Sequence, residues 1–286
     1  MTGAPDIHAC VIGFPITHSR SPRLHTYWLE HYGIHGRYAA ESMPPDGLAE
    51  FLAAIKQGIA DYSGGNATIP HKEALLALAD QADETARILG AANTFWVEHG
   101  ALHVSNTDTY GFLANLDAAV PQWDRPKTDT NRKAVVLGAG GAARAIVFGL
   151  ISRGFSKIVL ANRTLSRAEM LTAHFAAVAN KRNCRLLPLT LEDAEAALGQ
   201  TSLLVNTTSL GMVGQNELKI SLVELPQTAV VTDIVYTPLQ TGLLNAAKSR
   251  GNRTVDGLGM LLHQAVPGFE KWFGVRPQVT EALHRH

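Results

Sequence analysis

The sequence predicts an α/β protein of two domains, and three observations carry that prediction. Apolar strand-like runs alternate with helix-period segments along most of the chain, the pattern of parallel strands joined by crossover helices. The stretch Lys133–Arg144, KAVVLGAGGAAR, reads as a buried strand, a glycine-rich turn and the opening of a helix. Ahead of it, Pro121–Asn131 is polar and proline-bearing, which reads as a linker.

Composition narrows the class. At 286 residues and 46% hydrophobic content, the chain can bury two ordinary cores. Lys and Arg number 25 against 25 for Asp and Glu, so no sequence-wide basic field points to nucleic acid or an anionic membrane. Cys10 and Cys184 sit in no CxxC or His-rich context. They are expected as buried reduced thiols rather than zinc ligands or a disulfide framework, and no metal site is expected. Met1–Gly13 lacks a basic n-region before a long apolar segment, and no apolar run reaches about 18 residues. The expectation is a globular cytoplasmic protein.

In chain order, the first strand is expected at His8–Ile12. Ser21 before Pro22 then reads as an N-cap followed by proline at the first helical position, with the helix running through Arg23–Tyr32. Ser19 and Ser21 at that helix mouth suit a carboxylate receptor, while Ser21 suits a cap equally well. A strand at Arg37–Ser42 and a helix at Asp46–Ile59 lead to Asn66-Ala67-Thr68-Ile69-Pro70-His71-Lys72, a strand stopped by proline. Lys72 opens the next helix, Lys72–Ala79. The positive end of a helix dipole disfavours a cation there, a property useful to an acid/base lysine. A solvated surface lysine is the alternative.

A helix at Asp83–Leu89 precedes Gly90–Val97, a turn entering a strand, and its hairpin-like partner Leu102–Val104. Asn93 and Asp108 fall at strand ends, where side chains converge or turns form. Helical period resumes at Tyr110–Ala119. In the second half, Gly138, Gly140 and Ala143 fit the G-x-G-x-x-G/A spacing, which places a pyrophosphate at a helix N-terminus. Compact packing also produces such a turn. The helix Ala142–Ser152 and strand Lys157–Ala161 complete a βαβ unit. That strand ends in Asn162-Arg163-Thr164 with Arg167 beyond, where an NAD site carries Asp or Glu about 20 residues past the glycines. Two guanidiniums suit a 2′-phosphate, so the cofactor is read as NADP. Remaining helices are expected at Ser166–Ala179, Leu191–Leu198, Thr241–Arg250, Met260–Phe269 and within Val275–His286. Strands are expected at Arg185–Pro188, Leu203–Asn206 and Ala229–Asp233, with polar strand-end loops at Asn206–Gly211 and Ile234–Pro238.

The chain resembles the shikimate dehydrogenase family in the order and spacing of eight stretches. These are IGFPITHSRSPRLH (Ile12–His25), NATIPHK (Asn66–Lys72), GAANT (Gly90–Thr94), NTDTYG (Asn106–Gly111), the glycine turn, NRTLSR (Asn162–Arg167), NTTSLGM (Asn206–Met212) and DGLGMLLHQ (Asp256–Gln264). The resemblance implies a substrate-binding domain at 1–112 completed by 258–286, and a Rossmann-like NADP domain at 113–257. It implies NADPH-dependent reversible reduction of 3-dehydroshikimate to shikimate, in the chorismate route to aromatic amino acids, by a monomer or homodimer. Lys72 and Asp108 match the catalytic pair, and Ser19 and Ser21 the ligands of the substrate carboxylate. Thr68, Asn93, Tyr236 and Gln264 resemble the residues around the ring hydroxyls. On the cofactor side, Gly138, Ala139, Gly140, Gly141 and Ala142 match the pyrophosphate turn, and Asn162, Arg163, Thr164 and Arg167 the adenosine phosphate site. Ile234 and Gly257 match backbone contacts near the nicotinamide, with Glu84 a weaker cofactor contact. Family members usually carry valine at Ala67 and Ala92, asparagine at Thr26 and glycine at Ser105. Such departures leave room for a relative that prefers quinate or another cyclohexene acid; an NAD-dependent quinate/shikimate dehydrogenase is the rival among enzymes, and the Arg163/Arg167 pair argues against it. A non-catalytic NADP-binding regulator is the reading outside enzymes, and the presence of both Lys72 and Asp108 speaks against it.

Overall fold

The computed structural model describes residues 6–124 and 132–285, and their strands fall into two six-stranded sheets. Most of the expected linker, 125–131, lies outside the described residues.

The first unit, Met1–Asp108 with Leu262–His286, opens with β1 (Ile7–Gly13), α1 (Ser21–Tyr32), β2 (Gly36–Ser42), α2 (Leu48–Lys56) and β3 (Gly64–Ala67). It continues with α3 (Lys72–Leu78), β4 (Gln81–Ala82), α4 (Glu84–Leu89), β5 (Thr94–Glu98) and β6 (Ala101–Ser105). The strand order is β2-β1-β3-β5-β6-β4. The expected hairpin is present as β5 and β6, and β5 runs antiparallel to β3 as well, so one strand departs from the parallel pattern of the rest. Glu98 and Ala101 pair across a two-residue turn whose His99 and Gly100 have φ of 52° and 76°, the left-handed pair that a tight hairpin requires. Reversal of this one strand brings its N-terminal end to the same sheet edge as the C-terminal ends of β1, β3 and β6. Leu48, Leu52 and Ile55 of α2 recur on one helix face and join Ile12 and Phe95 in the core. The chain's end returns to α1: the Trp28 indole donates to the Gln278 carbonyl (3.2 Å), and the Gln278 amide donates to the Tyr32 hydroxyl (3.0 Å).

The second unit, Thr109–Leu261, contains most of α5 (Asp108–Ala119), then β7 (Lys133–Leu137), α6 (Gly141–Ser152), β8 (Lys157–Asn162), α7 (Leu165–Lys181) and β9 (Arg185–Thr190). After these come β10 (Leu203–Asn206), β11 (Val230–Asp233), α8 (Gly242–Ser249) and β12 (Arg253–Val255). All pairings are parallel in the order β12-β11-β10-β7-β8-β9, the doubly wound dinucleotide-binding arrangement. Its order reverses between β7 and β10, the position where such sheets take ligands. The expected helix at Leu191–Leu198 is instead a 3-10 helix, Glu192–Ala197, in which Ala194 alone is buried, so it has no apolar stripe to extend. The last helices are α9 (Leu258–Phe273), which continues past Pro267, and α10 (Glu281–Arg285).

The units divide at Asp108/Thr109 and Leu261/Leu262, where the sequence suggested 112/113 and 257/258. Helix α5 explains the first difference. Thr109 donates to the Ala145 carbonyl (2.9 Å) and Asn115 to the Asp256 carbonyl (2.8 Å), tying the helix into the second unit from its first turn. Among the described residues no helix is long and apolar enough to cross a membrane, and no three His, Cys, Asp or Glu side chains cluster as metal ligands. Cys10 and Cys184 are free and buried.

Candidate active site

At the shared strand-end edge of the first sheet, Lys72 Nζ donates to Asp108 Oδ2 at 2.6 Å, and Asn93 Nδ2 donates to Asp108 Oδ1 at 2.8 Å. Lys72 is the first residue of α3, and its carbonyl accepts from the Ala92 amide (2.8 Å), which binds the helix start to the approach of β5. Asp108 opens α5 and takes its own amide's partner from Asn106 Oδ1 (3.0 Å). A carboxylate at a helix start complements the dipole, whereas the ammonium at the start of α3 opposes it. The ion pair therefore anchors a cation in a place where the backbone alone disfavours one.

Asn93 has no freedom to turn its amide over. Its Oδ1 accepts from the Thr107 amide (2.9 Å), an unambiguous donor, and from Thr94 Oγ1 (2.9 Å), so its Nδ2 must face Asp108. Behind it, Asn66 Nδ2 donates to the Asn93 carbonyl and Thr94 Oγ1 (both 3.1 Å), and Tyr38 donates to Asn66 Oδ1 (2.7 Å). Burial pushes the Tyr38 phenol well above its usual range, keeping it a neutral donor. Tyr38, Asn66, Thr94 and Thr107 thus form a polar support for the pair. Sequence reasoning assigned them no role, although an asparagine inside a strand was a signal, since strands disfavour it.

The other expected site residues of this unit lie around the same edge. The capping expectation for Ser21 is overturned: Arg20 occupies the N-cap position without a side-chain bond, and Ser21 is the first helical residue. Ser19 Oγ accepts from the Ser21 amide (3.3 Å). Thr68 is half-buried just past β3, its amide donating to the Ile12 carbonyl (2.9 Å). Gln264 on α9 accepts from Thr107 Oγ1 at 3.4 Å. Glu84 shares no hydrogen bond with the cluster. It stands exposed at the start of α4, which Asp83 caps by accepting from the Ala86 amide (2.7 Å).

In the second unit the glycines separate by job. Gly138 has φ of +107°, and a Cβ there would lie 2.5 Å from Thr207 Oγ1, so the turn itself requires glycine. At Gly140 and Gly141 an added Cβ would meet nothing within 4 Å. The space stands over the unpaired amides at the N-terminus of α6, which fits an anion such as a pyrophosphate. Ala139 is half-buried in the turn between them; Ala142 and Ala143 continue into α6, the latter fully buried. At the end of β8, Asn162 Nδ2 donates to the Thr164 carbonyl (2.8 Å), bending the chain into α7. Arg163 and Arg167 are exposed and enter no ion pair among the described residues. Ile234 and Gly257 meet: a Cβ on Gly257 would lie 2.2 Å from the Ile234 carbonyl oxygen. Tyr236 is half-buried two residues beyond Ile234.

A doubly wound dinucleotide unit with a basic strand end, and a second α/β unit carrying a clamped lysine–carboxylate pair, define a nicotinamide-dependent oxidoreductase. Residues 11–95 match the family of the shikimate dehydrogenase substrate binding domain, 125–235 that of shikimate / quinate 5-dehydrogenase, and 257–283 the shikimate 5′-dehydrogenase C-terminal domain. The chain is 53% identical over 281 residues to the shikimate dehydrogenase (NADP(+)) of Brucella abortus, covering 97% of this chain and 92% of that one. It belongs to the shikimate dehydrogenase family. Among solved structures it is similar to the shikimate 5-dehydrogenase of Thermus thermophilus in complex with NADP(H) and shikimate, with 34% identity, TM-score 0.81, and 98% and 99% of the two chains covered. It is also similar to the ligand-free 5-ketofructose reductase of a Gluconobacter species, with 31% identity, TM-score 0.83, and 98% and 97% covered.

Proposed function

We propose that the chain reduces 3-dehydroshikimate to shikimate reversibly with NADPH, toward chorismate and the aromatic amino acids, with Lys72 and Asp108 as the acid/base pair. The observation that carries the reading is the 2.6 Å contact between Lys72 and Asp108 in a chain of this family. Gly138–Ala142 hold the cofactor's pyrophosphate and Asn162, Arg163, Thr164 and Arg167 its adenosine phosphate. Ile234 and Gly257 lie along the nicotinamide, and Glu84 is a peripheral contact. Bound NADPH supplies a hydride to the ring carbon that bears the reacting oxygen.

The protein's own task is the proton and the orientation. Ser19 and Ser21 donate to the substrate carboxylate, and Thr68, Asn93, Tyr236 and Gln264 surround the ring hydroxyls. During reduction the Lys72 ammonium donates a proton to the carbonyl oxygen, and during oxidation the neutral amine takes it from the hydroxyl. Asp108 holds Lys72 in line and accepts from a neighbouring hydroxyl. The reading carries with it a cytoplasmic enzyme working as a monomer or homodimer.

The test is the purified protein with shikimate and NADP+, followed by the absorbance of the NADPH formed. Quinate, NAD+, and 5-ketofructose with NADPH serve as controls. Turnover of shikimate with NADP+ above every control is expected. A strong NAD+ preference would defeat the assignment of Arg163 and Arg167, and preference for quinate or 5-ketofructose would defeat the substrate.

A further inference from the structure

We infer that Asp233 is a positioning residue for the nicotinamide end of the cofactor, its buried carboxylate locking together the strand-end loops that follow β10 and β11. The inference rests on the NADP-dependent reading above.

Asp233 is the last residue of β11 and has no solvent exposure. No cation pairs with it among the described residues, so neutral donors must offset the cost of burying the charge. Three do so: Oδ1 accepts from the Val235 amide and from Asn206 Nδ2 (both 3.0 Å), and Oδ2 accepts from Thr241 Oγ1 (2.7 Å). Burial still pushes the carboxyl up despite these bonds, so the charge remains a standing expense for the fold. Well-packed apolar residues often serve stability better at such a place.

What the carboxylate secures is the geometry of three segments. Asn206 Oδ1 accepts from the Thr208 amide (3.0 Å), which forces Nδ2 toward Asp233 and the Leu210 carbonyl (3.2 Å). The loop after β10 is thereby tied to β11. Thr241 donates to Asp233 while its oxygen caps α8 by accepting from the Leu244 amide (3.4 Å). The third tie is the important one. Val235 N–H and the Ile234 carbonyl belong to one planar peptide and point in opposite directions. Holding the N–H fixes the carbonyl, and that oxygen is the one Gly257 closely approaches. The carboxamide of a nicotinamide carries N–H donors and needs such an acceptor at a set place and angle.

The test compares Asp233→Asn, Thr241→Val and Thr241→Ser. In Asp233→Asn an amide N–H replaces one acceptor oxygen, so at least one of the three donors loses its partner. A fall in kcat of about 10- to 100-fold is expected, the scale of a misplacement near 1 Å. It should come with a larger primary isotope effect from deuterated NADPH. Affinity for adenosine 2′,5′-bisphosphate, which lacks the nicotinamide half, should stay at the wild-type value. Thr241→Val removes the bond to Asp233 and the cap of α8, leaves the carboxylate its two other donors, and should show the same pattern more weakly. Thr241→Ser should restore wild-type values. Unchanged kcat in both Asp233→Asn and Thr241→Val overturns the positioning role. So does a loss of kcat, bisphosphate affinity and Tm in parallel, which marks a merely structural residue. An inactive wild type overturns this role and the functional reading together.

Discussion

Lys72→Ala separates catalysis from stability at one position. Lys72 and Asp108 keep 32% and 15% of their side-chain exposure, so the pair is partly screened and its loss should cost folding only about 0–1 kcal/mol. Losing a general acid–base group costs about 10²–10⁴ in rate, equivalent to roughly 3–5 kcal/mol of transition-state stabilisation. Lys72→Ala should therefore melt near the wild type and bind NADP+ normally while kcat falls by that factor. Asp108→Asn works through alignment. Lys72 and Asn93 both donate to Asp108, so an amide must point its own N–H at one of them. Loss of a hydrogen bond to a charged group is worth about 1.5–3 kcal/mol, or roughly 10- to 150-fold in rate. Because the two side chains act as a unit, the double variant should be no slower than Lys72→Ala alone. Initial rates in both directions, with thermal melts of each variant, make the comparison. An unchanged kcat in Lys72→Ala, or a double-variant loss equal to the product of the single losses, would refute the paired mechanism.

Three further outcomes are expected. Gly138→Ala should lower Tm, since positive φ and the Thr207 contact together imply about 1–3 kcal/mol of strain; Gly141→Ala should leave Tm intact yet weaken NADP+ binding, as measured by titration. Replacing both Arg163 and Arg167 by Ala should raise KM for NADP+ by about tenfold or more with little change for NAD+, and equal effects on both cofactors would count against a 2′-phosphate site. Burial pushes the His25 imidazole from its ordinary 6.5 down to about 3, and neither ring nitrogen has a hydrogen-bond partner among the described residues. Stability is therefore full above pH 6.5 and lost as the pH falls toward 3, by up to about 1.4 kcal/mol per unit. Denaturant melts should show a shallower acid loss in His25→Phe, which keeps the stack on Tyr38.

Features with local causes were legible in the sequence. The glycine turn, the basic strand end and the strand–helix alternation each follow from residues within a few positions of one another. What escaped depends on distant partners. β4 is two residues long and exists because Gln81 and Ala82 pair with His103 and Val104. Ser21 has the sequence of a cap, yet Arg20 takes the N-cap position and Ser21 is already helical. Asn66 and Asp233 look like strand-ending turn formers, and their partners Thr94 and Asn206 lie 28 and 27 residues distant. Polar residues at strand ends announce that something is bonded there without announcing what.

Why the support behind Asp108 is so complete follows from counting acceptors. A carboxylate offers about four lone-pair directions, and Asn93 and Lys72 use one on each oxygen. Under the proposed mechanism a ring hydroxyl can thus donate to Asp108 without displacing Lys72, which stays aimed while the substrate arrives. That arrangement holds only if Asn93 never offers its oxygen to Asp108, because two acceptors would push the carboxylate away from Lys72. The Thr107 amide prevents the flip. Asn93→Asp puts an acceptor where the donor was, and should lower kcat more than Asn93→Ala, which leaves a gap that water can fill. The reverse order in measured kcat would show that Asn93 serves the substrate alone and leaves Asp108 to orient itself.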